Sequence, residues 1–205
     1  MSLGHRIFAA VYDPMMAPAE RGDLGRLRDD LIGRAEGSVL ELGAGTGLNV
    51  RRYAGVDRVV LTEPMEPMRR RLAGRLGEAR VPVEVVDAPA ERLPFDDATF
   101  DTVVSTLVIC SVADPVAALR EVRRVLRPGG RFLFLEHGGG AGRRAVWQHR
   151  LDHVWPVLSA GCHLTRNVAD LLVGADLHPE EIQVLEPPST PSFLSPFRLG
   201  VAVAP

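Results

Sequence analysis

The stretch that decides the fold is Ser38-Val-Leu-Glu-Leu-Gly-Ala-Gly-Thr-Gly-Leu-Asn-Val50. Its first half is a short apolar run that predicts a buried strand. Gly43, Gly45 and Gly47 end that strand, and helix-compatible residues follow as far as Ala54. A strand that turns on glycines into a helix brings bare backbone N–H groups and the positive end of the helix against a ligand. The sequence therefore predicts a ligand-binding loop at this point.

The spacing of the glycines separates two kinds of nucleotide site. A dinucleotide fingerprint has the form Gly-x-Gly-x-x-Gly, but here the third glycine comes one residue early, at Gly47, and position 48 is Leu. The shorter pattern, with the acid Glu41 in the preceding strand, resembles the nucleoside-binding loop of class I S-adenosylmethionine-dependent methyltransferases. The alternative is that the glycines only shape a strand–helix turn.

Length and charge limit the classes of protein that fit. The 205 residues suit one domain with a single sizeable core, so we predict that residues 1–205 form one domain. The formal net charge of −2 argues against a nucleic-acid partner. No apolar run approaches the roughly 20 residues that cross a bilayer, and the first residues lack the apolar core of a signal peptide. The sequence predicts a cytoplasmic protein without an integral membrane segment and leaves its oligomeric state open.

Apolar strands and helical segments alternate after the glycine loop. Strands are predicted at residues 58–63, 83–87, 100–106 and 131–136, with an amphipathic helix at 116–126. This alternation is typical of an α/β fold whose doubly wound parallel sheet carries helices on both faces. Two late strand-like runs, 181–185 and 199–204, suit an antiparallel hairpin at one edge of the sheet.

In such a sheet, ligands bind beyond the carboxyl ends of the strands. We therefore expect one crevice that collects the residues at those ends, namely Gly43, Glu63, Asp87, Thr106 and Glu136. Glu63 lies about 20 residues beyond Gly43, where a carboxylate can accept bonds from both ribose hydroxyls. The apolar Met65 just after it suits one face of an adenine ring.

Residues 1–36 are predicted to form a helical layer. Its first helix carries the apolar stripe Phe8, Val11, Tyr12 and Met15, interrupted at Asp13-Pro14. The second, over residues 19–35, places Leu24, Leu27, Leu31 and Ile32 on one face. This layer either packs on the sheet as plain scaffold or covers the cofactor as a lid, with Tyr12 facing the site.

Residues 137–205 are predicted to supply the acceptor-side helices and the last strands. A helix over 144–158, bent at Pro156, carries Trp147, Leu151, Val154, Trp155 and Leu158 on its apolar side, and another helix covers 167–175. Trp147 and Trp155 are eight residues apart and therefore share a face of that helix. The two tryptophans belong either to the core or to an aromatic-lined pocket.

The match to the methyltransferases extends well beyond the glycine loop. Ala90-Glu-Arg-Leu-Pro-Phe-Asp-Asp-Ala-Thr-Phe-Asp101 and Val122-Arg-Arg-Val-Leu-Arg-Pro-Gly-Gly130 resemble successive signatures of the class I enzymes, so that the resemblance covers about residues 38–136. Three further stretches resemble the methyltransferase-like group that includes alkyl-thiol S-methyltransferases. They are Thr106-Leu-Val-Ile-Cys-Ser-Val112, Phe134-Leu-Glu-His137 and Gly161-Cys-His-Leu-Thr-Arg166.

This resemblance implies a Rossmann-like methyltransferase fold, with a mostly parallel seven-stranded sheet, and S-adenosylmethionine as the cofactor of residues 38–136. It puts the methionine part on the glycine loop, the ribose on Glu63, the adenine beside the 88–91 loop, and Thr106 under the sulfonium. The predicted cofactor residues are Tyr12, Glu41, Gly43, Ala44, Gly45, Thr46, Glu63, Pro64, Met65, Asp87, Ala88, Ala90, Glu91, Thr106 and Leu107. Many relatives carry an Asp where this chain has Pro89, so either Asp87 or backbone is expected to bind the adenine amino group.

His137 is the predicted catalytic residue. Methyl transfer from a sulfonium is an in-line displacement that mainly requires alignment, and an imidazole at the end of the fifth strand can take a proton from the acceptor. The alternative is a histidine that only bonds to backbone. No metal site is predicted, because His149 and His153, four residues apart, lack a third ligand and two cysteines are too few.

The predicted acceptor-binding residues are Cys110, Trp147, Leu151, Trp155, Cys162, His163 and Arg166. An apolar pocket favours a neutral, lipophilic small molecule, because burying an unpaired charge is costly. By resemblance, thiols rank first, then phenols or quinols, then amines. The sequence thus predicts an S-adenosylmethionine-dependent methyltransferase. An NAD-dependent Rossmann oxidoreductase and a cofactor-binding module without turnover are the alternatives.

Overall fold

A computed structural model describes residues 3–205, and in this part of the chain seven strands form one sheet. The strands are β1 (Ser38–Leu42), β2 (Arg58–Thr62), β3 (Val83–Val86), β4 (Phe100–Thr106), β5 (Leu126–His137), β6 (His178–Leu185) and β7 (Phe197–Val203). Their order across the sheet is β3-β2-β1-β4-β5-β7-β6. β1 to β5 run parallel, and β7 runs antiparallel to β5 and to β6. The predicted fold class and the C-terminal hairpin are confirmed.

The helices cover both faces of this sheet. They are α1 (Leu3–Arg21), α2 (Asp23–Ile32), α3 (Glu66–Ala73), α4 (Pro115–Val125), α5 (Gly142–Leu151), α6 (Trp155–Leu158) and α7 (Val168–Leu172). α4 begins after Asp114, whose carboxylate accepts the N–H groups of Val116 and Ala117 at 3.0 Å. The helix predicted at 116–126 therefore has its bounds correct to within one residue.

Alternate side chains of the central strands enter two apolar layers, as the two-residue period of a strand requires. Leu40 and Val103 lie in the layer that contains α4 and α7. Val39 and Val104 lie in the opposite layer, with Leu31 of α2. This double cover explains why β1 and β4 are apolar on both faces.

The break predicted in the first helix, at Asp13-Pro14, is wrong, because α1 continues through Pro14 and Pro18 and ends only before Gly22. Both prolines are exposed, so water can bond the carbonyls that lose their N–H partners. The apolar stripe is half correct. Phe8 and Tyr12 are half-buried with ring centroids 5.5 Å apart, whereas Val11 and Met15 are exposed. None of the described helices is both long and apolar enough to cross a membrane.

The helix predicted after the glycine loop is also wrong. Residues 48–54 form a short 3₁₀ turn at Val50–Arg52 and then an extended Tyr53. Gly47 and Gly55 both have positive φ angles, of 86° and 75°. A residue with positive φ cannot continue a right-handed helix, so the two glycines confine any helix to the seven residues between them. Only three of those residues are helical.

A single helix over 144–158 does not form. α5 ends at Leu151 and α6 begins at Trp155. Pro156 accounts for the break, since the ring of a helical proline clashes with the carbonyl four residues earlier, here that of Asp152. Pro156 was predicted to bend one helix, whereas the structure has two separate helices there. The helix predicted at 167–175 consists of α7 and a 3₁₀ turn at Val173–Ala175.

Candidate active site

The glycine loop packs directly against the segment that leaves β4. Gly43 has a φ of 52°, and a Cβ on it would lie 2.8 Å from a methyl carbon of Val108. Glycine is needed there for the backbone to come this close. At Gly45 a Cβ would meet nothing nearer than the Gly43 carbonyl oxygen, at 3.9 Å, so this side of the loop has room for a ligand.

Glu63 joins the end of β2 to this loop. One carboxylate oxygen accepts the Gly45 N–H at 2.8 Å, and the other accepts the Met65 N–H at 2.7 Å. Burial raises the pKa of Glu63, and the two N–H groups oppose that rise. A carboxylate has about four lone-pair sites, so Glu63 keeps capacity for ribose hydroxyls. A glycine cradle with a buried carboxylate fits the nucleoside of S-adenosylmethionine.

The N-terminal helix is tied to the glycine loop by a polar contact. The Thr46 hydroxyl donates to Asp13 at 2.6 Å, and Arg75 donates both to Thr46 and to Asp13, the latter at 2.9 Å. α1 therefore lies over the loop, where a lid would lie.

Arg28, a buried arginine that was not predicted from the sequence, lies beside Thr106 at the end of β4. Arg28 is 3% exposed, pairs with Glu20 at 2.7 Å, and donates to Asn49 at 3.1 Å and to the Thr106 hydroxyl at 2.6 Å. Arg28 lies within the apolar stripe of α2, between Leu24 and Leu31. A charged residue on that apolar face was the feature of the sequence that could have revealed it.

Glu41, predicted to bind cofactor, has its carboxylate engaged within the fold. One oxygen accepts the Asn49 amide at 2.8 Å and the other the Tyr53 hydroxyl at 2.7 Å. Tyr12 is half-buried, and burial raises its pKa to about 12 against the opposing charge of Arg28.

The predicted adenine side is only partly assembled. Asp87 is exposed and pairs with Arg69 at 2.7 Å. Glu91 accepts the Ala113 N–H at 2.8 Å and therefore supports the start of α4. Along the same edge, Ala88 and Ala90 are buried, Met65 is half-buried and Pro64 is exposed.

Residues 107–112, which we call the β4 exit segment, are fixed from two sides. Leu107 opens the segment with a φ of 62°. The buried carboxylate of Glu136 accepts the N–H groups of Val108 at 2.9 Å and Ile109 at 3.1 Å. From the other side, Arg166 donates to the Cys110 carbonyl at 3.2 Å. Arg166 therefore holds backbone, which differs from the acceptor contact predicted for it.

Cys110, His137 and Cys162 come together at the end of the exit segment. Their ligand atoms all lie within 4.8 Å of one another, and His137 Nε2 is 2.7 Å from Cys162 Sγ. A hydrogen bond from Cys110, then the contact with His137, lowers the pKa of Cys162, while the same bond and burial raise the pKa of Cys110. The Trp155 N–H also points to Cys162 Sγ, at 3.4 Å. We call these three residues the Cys-His-Cys cluster.

Two predicted acceptor residues face elsewhere. His163 bonds to Asp152 at 3.0 Å, and only its backbone N–H reaches the cluster, through the Cys110 carbonyl at 2.8 Å. Trp147 is 58% exposed and has the Arg150 guanidinium over its ring, whereas Trp155 is half-buried against Phe193. The two tryptophans do not share the helix face that was predicted for them, because the helix breaks between them. Leu151 is half-buried at the end of α5.

Comparison with known proteins gives consistent matches. Residues 40–134 match the family model of a methyltransferase domain. The chain is 34% identical over 201 residues to thiol S-methyltransferase TMT1A of Homo sapiens, covering 96% of this chain and 82% of that protein. It is 37% identical over 174 residues to thiol S-methyltransferase TMT1B of Homo sapiens, covering 81% and 70%. A crystal structure from Thermotoga maritima, described as an S-adenosylmethionine-dependent methyltransferase and possible histamine N-methyltransferase, has a TM-score of 0.72 over 100% of both chains at 23% identity.

With the sheet order, the glycine loop and these matches together, the chain is a class I S-adenosylmethionine-dependent methyltransferase, as its sequence predicted. Its cofactor is S-adenosylmethionine, and its substrate is a small molecule. Within that class it belongs to the family of the thiol S-methyltransferases TMT1A and TMT1B. The alternative of an NAD-dependent oxidoreductase finds no support.

Proposed function

We propose that this enzyme methylates the sulfur of a small, lipophilic thiol. The observation that carries the proposal is the place of the Cys-His-Cys cluster, whose Cys110 lies four residues beyond Thr106, the residue predicted to lie under the sulfonium. Trp155 and Phe193, with ring centroids 5.1 Å apart, give the cluster an aromatic border. Relatives that match most of the chain are themselves called thiol S-methyltransferases.

The cofactor contacts are proposed as the sequence predicts them. S-adenosylmethionine supplies the methyl group as an activated sulfonium. The glycine loop holds the methionine part, Glu63 holds the ribose, and Thr106 and Leu107 lie under the sulfonium. In this proposal α1 excludes water from above. Holding the two partners in line can contribute about 7–11 kcal/mol to lowering the barrier.

His137 is proposed as the catalytic residue that promotes ionisation of the acceptor. Its ring is 5% exposed, and its Nε2 atom faces the cluster. A thiol has an ordinary pKa of about 8.5, against about 10 for a phenol, so it needs the least help to become a nucleophile. This ranks thiols ahead of phenols and quinols, and those ahead of amines.

The test is a labelled-methyl assay on alkyl and aryl thiols, phenols and amines of matched size. We expect thiols to be methylated fastest, and His137→Ala to lose at least about 100-fold in rate. His149→Ala is the matched control, because His149 lies exposed on α5, and it should keep the parent rate. Turnover of amines alone would refute the thiol assignment, and binding of cofactor without any turnover would leave only a binding module.

A further inference from the structure

The Cys-His-Cys cluster brings together residues from three separate elements. Cys110 belongs to the β4 exit segment, His137 ends β5, and Cys162 lies in the loop between α6 and α7. Two sulfurs and one imidazole nitrogen within 4.8 Å of one another form the donor set of a soft or borderline metal ion.

The backbone that carries these groups is fixed before any ligand arrives. Glu136 and Arg166 hold the exit segment from opposite sides, and the His163 N–H bonds to the Cys110 carbonyl at 2.8 Å. Gly161, with a φ of 99°, lets the second loop come close, since a Cβ there would lie 2.7 Å from the Ser111 carbonyl oxygen. The two cysteines are thus positioned by loop-to-loop packing as well as by their own contact.

His137 presents one nitrogen to the two sulfurs. Nε2 is 2.7 Å from Cys162 Sγ, while Nδ1 is buried and has no hydrogen-bond partner among the described residues. A bound zinc ion has bonds of about 2.3 Å to sulfur and about 2.0 Å to nitrogen, which leaves roughly 3.5 Å between those atoms. A small outward shift of the half-buried Cys162 loop would therefore admit the ion.

We propose that Cys110, His137 and Cys162 bind a thiophilic divalent cation, with Zn²⁺ the preferred ion, and that its fourth position takes the sulfur of the acceptor. Coordination of the acceptor sulfur rests on the proposed function, whereas binding of the cation does not. Three protein ligands with one open position is the arrangement of catalytic zinc, and structural zinc has four protein ligands. This inference departs from the absence of a metal predicted from sequence, where the three residues lie far apart.

The ionisation that we assign to His137 would act through the cation, which His137 helps to bind. Two thiolates buried without compensation would be costly, and a divalent cation neutralises them. A thiol that coordinates the ion would give its proton to solvent, and its sulfur would keep the electron pair that forms the new bond to the methyl carbon. The bond between that carbon and the sulfonium sulfur would break at the same time, and its electron pair would leave with S-adenosylhomocysteine. The thioether product carries no charge, is a weaker ligand and leaves the fourth position open again.

The experiment measures metal before activity. The full-length chain, expressed with added zinc and desalted, is expected to contain roughly one zinc ion per molecule by plasma mass spectrometry. Replacement by Co²⁺ should give a thiolate-to-cobalt charge-transfer band and the visible bands of tetrahedral cobalt. Cys162→Ala and His137→Ala should reduce both signals at least about tenfold. The double variant His149→Ala/His153→Ala, which removes an exposed pair on and just after α5, should keep both signals.

Circular dichroism melting identifies any variant that fails to fold. Cys162→Ala, in the half-buried loop, tests the site without a substitution in the exit segment. The site is refuted by parent protein that takes up no zinc, by unchanged metal content in Cys162→Ala, or by a Cys110–Cys162 disulfide in freshly purified, alkylated protein.

Adding hexanethiol to the cobalt protein without cofactor should shift the charge-transfer band, and an unshifted band would refute coordination of the acceptor. Metal binding without methylation of thiols would refute the proposed function alone. If thiols are still methylated after a chelator has removed all of the metal, only the role of the ion in ionising the acceptor is refuted.

Discussion

Glu63 shows, at the scale of single residues, how one carboxylate can serve both the fold and the ligand. It already accepts two backbone N–H groups, and ribose hydroxyls would add bonds to a charged acceptor. We expect Glu63→Ala to weaken S-adenosylhomocysteine binding by about 1.5–3 kcal/mol, measured by calorimetry. Glu84→Ala is the control, because Glu84 is exposed on β3. Equal affinities in the two variants would remove Glu63 from the ribose site.

Arg28 belongs to the same scale, with a role in stability. Its removal would leave the Asn49 side-chain oxygen without its donor and Thr106 with only the Asn49 amide, at 3.0 Å. It would weaken the pairing of Glu20, which Arg52 also contacts at 3.3 Å. Because that second contact remains, we expect Arg28→Met to cost about 3 kcal/mol, the low end for a broken buried pair. Urea unfolding gives the value, with Arg26→Met as the exposed control. A cost no larger than that of Arg26→Met would contradict the buried network.

Sequence predicted the single residues that strand periodicity and topology place at the carboxyl edge, such as Glu63 and Thr106. It could not predict Arg28 as a buried donor, nor the contact of Cys110 with Cys162, because these depend on how separate segments pack. His163 and Arg166 were predicted as acceptor contacts, and their bonds to Asp152 and to the Cys110 carbonyl likewise depend on how separate segments pack.

At the scale of elements, α1 is attached to the glycine loop through Asp13. If it acts as a lid, the amides of residues 8–16 should exchange quickly without cofactor and slow when S-adenosylhomocysteine binds. Asp13→Ala should raise the exchange of these amides in both states. Asp30→Ala, which removes an exposed pair on α2, should not. Exchange that is the same with and without cofactor would make α1 plain scaffold.

Helix boundaries explain the other differences between prediction and structure at this scale. A proline signals a possible break, but its effect depends on surroundings that sequence does not give. Pro14 stands on an exposed part of α1 and is tolerated, whereas Pro156 separates α5 from α6. The central strands β1 and β4 were predicted more closely, because burial on both faces leaves a continuous apolar run.

At the scale of the whole molecule, we propose that residues 38–136 form the cofactor half and that the elements after β5 supply most of the acceptor wall. The two tryptophans test this division. Trp155 is half-buried against Phe193 and donates to Cys162, whereas Trp147 is 58% exposed.

Because burying a large apolar group contributes about 1.5–3 kcal/mol, Trp155→Ala should raise KM for an aryl thiol at least about tenfold. It should leave the Kd of S-adenosylhomocysteine unchanged, since no cofactor residue lies on α6. Trp147→Ala should alter neither constant in the same steady-state and calorimetric measurements. A larger effect of Trp147→Ala on KM would place the acceptor on the outer face of α5, away from the Cys-His-Cys cluster.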